Sequence, residues 1–277
     1  MLREPIFLGG MFKSGTTLLR AMLGQHSAIA SGLETYWFDW DWANRNGAEM
    51  RRVFERLADY FHMSAGAVLA LAESAATPAA CLDALMRELT RRESKRRWAE
   101  KTPGNIAHVD RIWDAWPDAQ VIHITRDPRD VFASLVEARK WDTAAEFADR
   151  WAATVGRNEQ LLAQLRPGAE SYLAIRYEDL IGAPDATMRR VLEFLHEQWE
   201  PQVASFNGRQ EDFEIVLEAT GKASTTLERL KEPLTDDRVG IWPQVLSQAQ
   251  VAAIQQAVAA RGFADLYARL TTEHPAA

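Results

Sequence analysis

A glycine-rich turn near the N-terminus most constrains the fold of this 277-residue chain. The turn reads GMFKSGTT from Gly10 to Thr17, and it lies between a β-like run, Pro5 to Leu8, and a helical pattern, Thr16 to Gln25. Such a turn can hold an anion, because the backbone N–H groups that open a helix lack helical partners and the helix dipole favours negative charge. The strand and the helix must then pack side by side, which favours an α/β fold.

Short β-like runs alternate with helical patterns further along the chain. Gln120 to Thr125 precedes a helical pattern from Val131 to Lys140, and two more strand candidates are Arg97 to Glu100 and Ser171 to Arg176. This alternation predicts a central parallel sheet flanked by helices, with charged residues at the strand ends that open onto a binding crevice. We predict one such α/β domain over residues 1–277, carrying a P-loop-like anion-binding turn.

The remaining segments are predicted to be helical or irregular. Helical periodicity runs through Asn44 to Arg97 and Asp185 to Leu195, and an apolar-faced helix is expected around Gln248 to Arg261. Ser205 to Arg238 is polar with few periodic cues, so it is predicted to be a long loop region of the kind that is usually functional or mobile.

Composition limits the partners and the compartment. A net charge of -7 gives no global basic field for nucleic acid or anionic membranes, so any anion must be bound by a local cluster of donors. One cysteine, Cys81, cannot close an intrachain disulfide, and the N-terminus enters a strand-like run without a signal-peptide pattern. Charged residues and proline interrupt the most apolar helical stretch, Gly66 to Met86. A cytoplasmic protein with no membrane span and no nucleic-acid partner is expected.

The position of a lysine in the turn narrows the ligand. Against the pattern G-x-x-x-x-G-K-[ST], Thr16 stands where the nucleotide-binding lysine is expected, and Lys13 precedes the second glycine. A lysine on that earlier limb would reach a group at the outer end of a single 5′-phosphate. 3′-Phosphoadenosine 5′-phosphosulfate (PAPS) has this shape. The alternative is an ordinary strand-turn-helix that binds nothing.

A second anion site is indicated after the strand Val121 to Thr125. Arg126 follows that strand, Asp127 can cap a helix whose first residue is Pro128, and Ser134 lies two turns into that helix. Arg126 and Ser134 can both donate to one phosphate, which a nucleotide with a 3′-phosphate requires. The alternative is that Arg126 pairs with a carboxylate and Ser134 faces water.

These motifs resemble those of the sulfotransferase family, in order and over most of the chain. The resemblance implies that the 5′-phosphosulfate is bound by Lys13, Ser14, Gly15, Thr16 and Thr17, and the 3′-phosphate by Arg126 and Ser134. It also places Tyr177, in the segment Tyr177 to Leu180, near the nucleotide.

Within that family, the chain is most similar to tyrosylprotein sulfotransferases and their bacterial relatives. The run SGTTLLRAML, then His26 and Leu33-Glu34-Thr35, resembles their loop, helix and catalytic glutamate, although that subgroup has arginine where Lys13 stands. Lys222 to Thr226 resembles a late segment that folds over the nucleotide. The resemblance implies that Ser224 or Thr225 contacts the phosphosulfate and that Lys231 also binds the nucleotide.

Sulfuryl transfer spreads negative charge over equatorial and leaving oxygens, so a catalyst can add cations at the group and a base at the incoming hydroxyl. Lys13 and Lys101 are the predicted cations, and Glu34 is the predicted base. Cytosolic relatives use a histidine shortly after such a lysine, whereas this chain has Thr102-Pro103-Gly104 there. The alternative for Lys101 is a surface lysine in a loop, and the alternative for Glu34 is a solvated carboxylate. His26 shares a helix face with apolar residues and is interpreted as structural.

The sequence therefore predicts transfer of a sulfuryl group from PAPS to a hydroxyl of a small molecule or a peptide tyrosine, without a metal and with 3′-phosphoadenosine 5′-phosphate (PAP) as product. Alternatives are a P-loop kinase or other nucleotide-phosphate transferase, against which Thr16 and Arg126 argue, and a nucleotide binder without activity, which has no use for Glu34 or Lys101. The aromatic run Tyr36 to Trp42 lines an acceptor pocket or the core. The sequence leaves the acceptor and the oligomeric state open.

Overall fold

Parallel strands form one central sheet in the computed structural model, which describes residues 4–40, 42–44, 47–138, 143–205 and 233–272. The strands are β1 (Ile6–Gly9), β2 (Ile29–Ser31), β3 (Arg97–Lys101), β4 (Gln120–Thr125) and β5 (Tyr172–Arg176). Their order across the sheet is β2-β3-β1-β4-β5. Every neighbouring pair is parallel, and Ile6 of β1 is in register with Ala99 on one side and Gln120 on the other. The predicted parallel sheet is confirmed.

Helices connect the strands. They are α1 (Thr16–Leu23), α2 (Ala48–Tyr60), α3 (Ala65–Ser74), α4 (Pro78–Arg92), α5 (Val109–Ala115), α6 (Pro128–Glu137), α7 (Ala144–Trp151), α8 (Arg157–Leu165), α9 (Tyr177–Gly182), α10 (Pro184–Phe194), α11 (Trp242–Val245), α12 (Gln248–Ala259) and α13 (Ala264–Thr271). Short 3₁₀ helices lie at Trp37–Asp39, Trp42–Asn44, Pro103–His108 and Pro201–Val203, and a π-helical turn, Ala152–Gly156, joins α7 to α8.

Local sequence signals explain where the long helical stretch divides. The side chains of Ser64 and Thr77 accept hydrogen bonds from backbone N–H groups of Ala67 and Ala80, so they cap α3 and α4. The helical prediction for residues 44–97 fails at Arg97, which begins β3. Within the predicted loop region after Ser205, residues 206–232 lie outside the described residues, and the described part has no helix or strand.

Both faces of the sheet are covered, as the near-continuous apolar character of its strands requires. Side chains alternate along β1: Ile6 and Leu8 join a core with α1 and α10, whereas Phe7 packs on the opposite face with α2, α4 and α5. A third apolar cluster joins α6, α7, α12 and α13. Within the described part of the chain, no helix combines the length and the apolar character that crossing a membrane requires.

Because all strands run in the same direction, β1, β3, β4 and β5 end at one edge of the sheet. The motifs identified in the sequence lie at this edge. They follow β1, β4 and β5 or stand at the end of β3. This edge therefore positions the candidate site.

Candidate functional site

The turn from Gly10 to Thr17 folds against the ends of neighbouring strands. The Gly10 N–H donates to the Pro103 carbonyl at 2.9 Å, and a Cβ atom at Gly10 would lie 2.4 Å from the Ile124 carbonyl oxygen. Gly15 has φ +92°, in the left-handed region, and Thr16 begins α1. The two glycines thus allow the turn to pack closely against its neighbours. The N-terminus of α1 then faces the crevice at this edge of the sheet.

A cluster of four side chains, which we call the glutamate–lysine cluster, lies beside this turn: Thr17, Glu34, Tyr36 and Lys101. Lys101 ends β3 and is almost fully buried. Its Nζ pairs with the Glu34 carboxylate and donates to Thr17 Oγ1 at 3.1 Å. The Tyr36 hydroxyl donates to the other Glu34 oxygen. The structure thus brings two of the three predicted catalytic residues into direct contact with each other, and Lys101 also contacts the turn.

The charges of this cluster are set by burial and by mutual pairing. Burial opposes ionisation of Glu34, but the Lys101 charge and the hydrogen bonds from Lys101 and Tyr36 outweigh it, so the pKa of Glu34 is lowered. Burial lowers the pKa of Lys101, and the Glu34 carboxylate opposes that shift. Both Glu34 oxygens are hydrogen-bonded within the cluster, and 26% of the side chain is exposed, so the residue lies at the boundary with solvent.

The buried Glu100 holds this cluster together, and the sequence interpretation missed it. One Glu100 oxygen accepts from the hydroxyls of Thr35 at 2.9 Å and Thr102 at 2.8 Å, and the other accepts from Asn105 at 2.6 Å. Burial raises the pKa of Glu100, against the effect of these hydrogen bonds. The loop that carries Glu34 is therefore tied to the strand end that carries Lys101. A charged residue inside a buried strand was the available signal.

The middle of the turn meets Arg126 in what we call the arginine corner, formed by Lys13, Gly15, Arg126 and Tyr177. Arg126 follows β4, and its Nη1 donates to the Lys13 carbonyl at 2.7 Å. The guanidinium lies over the Tyr177 ring, with Cζ 4.5 Å from the ring centroid. The same ring covers Gly15, where a Cβ would come within 2.4 Å of Tyr177 Cδ2. Tyr177 thus lies beside the turn, and its predicted proximity to the nucleotide stays a prediction.

The helix after Arg126 begins as the sequence indicated. The Asp127 side chain accepts from the Arg129 N–H at 2.8 Å, and Pro128 is the first residue of α6. Ser134 is buried on α6. Its predicted phosphate contact stays a prediction.

The chain returns to the arginine corner after the segment that is not described. Buried Asp130 accepts from the N–H groups of Gly240 at 2.7 Å and Trp242 at 3.0 Å. Arg126 Nη2 donates to the Arg238 carbonyl. Residues 238–242 thus lie against Arg126 and Asp130, beside the predicted 3′-phosphate site. Ser224, Thr225 and Lys231 lie outside the described residues, so their assigned roles stay predictions.

Two other sequence interpretations have structural outcomes. His26 is buried, its Nδ1 accepts from the Ala28 N–H at 3.1 Å, and its Nε2 lies 2.9 Å from the Gln198 carbonyl, which agrees with a structural role. The aromatic run divides: Trp37 and Phe38 are buried in the core, whereas Tyr36 and Trp40 are half-buried.

The residues of this edge fit a nucleotide with two anionic ends. Arg126 Nε is buried without a hydrogen-bond partner in the structure, so it can serve a phosphate oxygen. The turn has the glycines that a phosphate loop needs, and Lys101 adds a cation beside it. The described residues contain no group of three or more histidine, cysteine, aspartate or glutamate side chains placed to hold a metal ion.

A parallel α/β sheet with a phosphate loop and a carboxylate–lysine pair at its edge is typical of enzymes that transfer a group from a nucleotide. The family model described as "Sulfotransferase family" matches residues 5–201, and the chain belongs to that family. The kinase alternative gains no support from the fold or from the comparisons.

Named relatives and solved structures agree with this family. Protein-tyrosine sulfotransferase 1 from Danio rerio is 27% identical over 238 residues, which span 81% of this chain and 60% of that protein. The sulfotransferase domain of the olefin synthase from Synechococcus PCC 7002 has a TM-score of 0.72 at 18% identity and covers 99% of this chain and 96% of that one. A mouse sulfotransferase complexed with PAP has a TM-score of 0.51 at 15% identity, over 96% and 88% of the two chains. At such identities, the two structural similarities show the fold alone.

Proposed function

We propose that this sulfotransferase moves the sulfuryl group of PAPS onto a hydroxyl of an acceptor and releases PAP. The observation that carries the proposal is the direct contact of Lys101 with both Glu34 and Thr17 at the end of the phosphate loop. A cation and a proton acceptor thereby meet where a group bound to the loop would emerge. A nucleotide binder without activity has no need for this pair.

Each side chain has a task that follows from its position. When bound, PAPS supplies a sulfuryl group joined through oxygen to the 5′-phosphate, which is a good leaving group. Glu34 is ionised and partly exposed, so it can accept the proton of the acceptor hydroxyl as that oxygen bonds to sulfur. Lys101 and Lys13 neutralise the charge that grows on the sulfuryl and leaving oxygens as the S–O bond to the phosphate breaks.

The acceptor is a hydroxyl-bearing small molecule or a peptide tyrosine. Similarity to proteins named protein-tyrosine sulfotransferase supports a tyrosine hydroxyl, although the chain spans only 60% of the Danio rerio relative. The half-buried rings of Tyr36 and Trp40 beside Glu34 suit an apolar or ring-bearing acceptor. The cytoplasmic location expected from the sequence also stays a prediction.

Labelled PAPS, incubated with the protein and a panel of phenols, alcohols, sugars and tyrosine peptides, tests the proposal directly. We expect label to appear in at least one hydroxyl acceptor without added Mg²⁺. Thermal unfolding provides a second measurement, because PAP should raise the melting temperature more than ATP with Mg²⁺ does. Equal stabilisation by the two nucleotides, or phosphoryl transfer from ATP, would contradict the proposal.

A further inference from the structure

Arg20 is a buried arginine on α1, one turn beyond the phosphate loop, and the mechanism above gives it no role. Only 1% of the residue is exposed. A charged side chain is rarely buried to this extent unless specific groups pair with it. Arg20 is three residues after Thr17, so the two side chains share one face of the helix. Lys101 donates to Thr17 on that same face.

The Arg20 side chain also reaches the segment that carries the proposed base. Its Nη1 donates to the carbonyl groups of Ser31 and Gly32, each at 3.4 Å. Ser31 is the last residue of β2, and Glu34 follows three residues later. One buried side chain thus joins the helix of the phosphate loop to the segment that holds Glu34.

The charge of Arg20 acts on both members of the Lys101–Glu34 pair. Burial raises the pKa of Glu34 and Lys101 lowers it, and the Arg20 charge lowers it further. Burial lowers the pKa of Lys101 against the attraction of Glu34, and the Arg20 charge again lowers it further. Arg20 thus attracts the carboxylate and repels the ammonium group. Its presence therefore weakens the hold of Glu34 on Lys101.

Other titratable groups face the pair from the neighbouring elements. The Glu100 carboxylate of β3 opposes the effect of burial on the pKa of Lys101. The Tyr36 hydroxyl donates to Glu34 and adds to the effect of Lys101 against burial. On α2, Arg56 lies over the Tyr36 ring, and burial and the Glu34 charge raise the pKa of Tyr60. Arg20 differs from these groups, because its charge lowers the pKa of Glu34 and of Lys101 alike.

We propose that Arg20 is a positioning residue that fixes the Glu34 segment to the helix of the phosphate loop and helps Lys101 to move from Glu34 to the sulfuryl group. The inference rests on the proposed function and adds a residue to it. As the acceptor oxygen bonds to sulfur, its proton goes to Glu34, and the electron pair of the broken S–O bond stays on the 5′-phosphate oxygen. Glu34 loses its charge in that step, so Lys101 is released when negative charge grows on the leaving oxygen. Arg20 acts through these two residues.

The variants Arg20→Gln and Arg20→Lys separate the charge from the other properties of the side chain. Glutamine keeps N–H donors but has no charge, whereas lysine keeps the charge. We expect Arg20→Gln to lower kcat about tenfold or more and to leave the acceptor KM and the PAP affinity within about threefold. Arg20→Lys should recover most of the lost kcat.

The pH profile of kcat/KM distinguishes this role from a purely structural one. After burial and the mutual pairing of Glu34 and Lys101, the Arg20 charge lowers the pKa of both residues. Glu34 must be ionised and Lys101 protonated for transfer, so both limbs of the profile should move to higher pH in Arg20→Gln, by about half a unit or more. Arg20→Lys should keep both limbs at their wild-type positions.

Arg97→Gln is the matched control for the loss of a buried arginine. Arg97 begins β3, the strand that Lys101 ends, and is also 1% exposed. Its guanidinium donates to the carbonyl groups of Glu4 at 2.6 Å and Leu195 at 2.8 Å. Arg97→Gln should therefore lower the melting temperature and leave both limbs in place. Limbs that stay in place in Arg20→Gln, or that move equally in Arg97→Gln, would overturn the proposal.

A titration keeps this test separate from the proposed function. If the wild-type protein transfers no sulfuryl group, the proposed function fails, and Arg20 is then judged by carbon-13 NMR of the Glu34 carboxylate, assigned through Glu34→Gln. Arg20→Gln should raise the pKa of Glu34 by about half a unit or more, and Arg97→Gln should not. Trimethylamine N-oxide in every sample keeps a marginal variant folded. An unmoved Glu34 titration in Arg20→Gln overturns the inference.

Discussion

The glutamate–lysine cluster and the arginine corner contact one phosphate loop, the cluster at Thr17 and the corner at Lys13 and Gly15, but they are stabilised in different ways. In the cluster, Lys101 and Glu34 neutralise each other, and Glu100 ties the surrounding loop to the sheet. In the corner, Arg126 donates to two backbone carbonyls and stacks on Tyr177, while the nearest carboxylate oxygen, on Asp130, is 3.9 Å away.

This difference indicates how the cluster and the corner each respond to a ligand. Carbonyl groups are dipoles, so Arg126 keeps its full charge for a phosphate, and binding need not displace a carboxylate. Lys101 already has a counter-ion, so a ligand there must compete with Glu34, and removal of one partner leaves the other buried without its pair. We therefore expect nucleotide affinity to depend on the corner and turnover to depend on the cluster.

Glu34→Gln should have the largest effect on activity. Glutamine keeps the size of the side chain but cannot accept a proton, so turnover should fall about 10²–10⁴-fold. PAP affinity, measured by calorimetry, should hardly change. Glu49→Gln on the exposed start of α2 is the control and should keep normal turnover. Near-normal turnover in Glu34→Gln would assign the base to another residue. It would also remove the functional contrast between the glutamate–lysine cluster and the arginine corner.

Arg126→Ala should weaken PAP binding by about 1.5–3 kcal/mol, the scale of hydrogen bonds to a charged group. The loss should be much smaller for the analogue without the 3′-phosphate, since Arg126 is predicted to serve that phosphate. Calorimetry with both nucleotides provides the measurement. Equal losses on the two nucleotides would mean that Arg126 only orders the turn through the Lys13 carbonyl.

Gly15→Ala tests whether the cluster and the corner both depend on the geometry of the turn. The new Cβ would clash with the Tyr177 ring, and φ +92° disfavours alanine, so we expect a loss of about 1–3 kcal/mol of stability together with weaker PAP binding. Gly66→Ala on α3 is the matched control. The added Cβ would meet no atom within 4 Å, so this substitution should stabilise the protein by about 0.5 kcal/mol. Chemical denaturation measures both, and an unchanged Gly15→Ala variant would contradict the packing described here.

The pH dependence of the cluster should be the smallest effect near neutrality. The pKa of Glu34 is lowered from 4.5, so the stability that this residue contributes is present above pH 4.5 and is lost as the pH falls through the folded-state pKa. The melting-temperature difference between wild type and Glu34→Gln should therefore stay constant from pH 7 down to about pH 4.5 and shrink as the pH falls further. The acid limb of kcat/KM should also lie below pH 4.5. An acid limb near pH 6.5 would indicate a histidine instead.

Much of the site could be predicted from the sequence because its motifs are local. A strand, a glycine turn and a helix occupy consecutive residues, and so do β4, Arg126 and the capped start of α6. Parallel strands bring such segments to one edge whatever lies between them. The strand β2 was missed, since its three residues are too few to establish a period. Arg97 belongs both to the predicted helical stretch and to a predicted strand, and in the structure it begins β3.

The α/β class, the anion-binding turn and the types of side chain that serve it follow from the amino-acid sequence, because they depend on short-range periodicity and on residue chemistry. The pairing of Lys101 with Glu34, and the way in which buried Glu100 joins their two segments, are seen only in the folded chain. Those contacts join residues far apart in the chain. Whether a buried charge has a partner depends on what packs around it, and no local pattern encodes that.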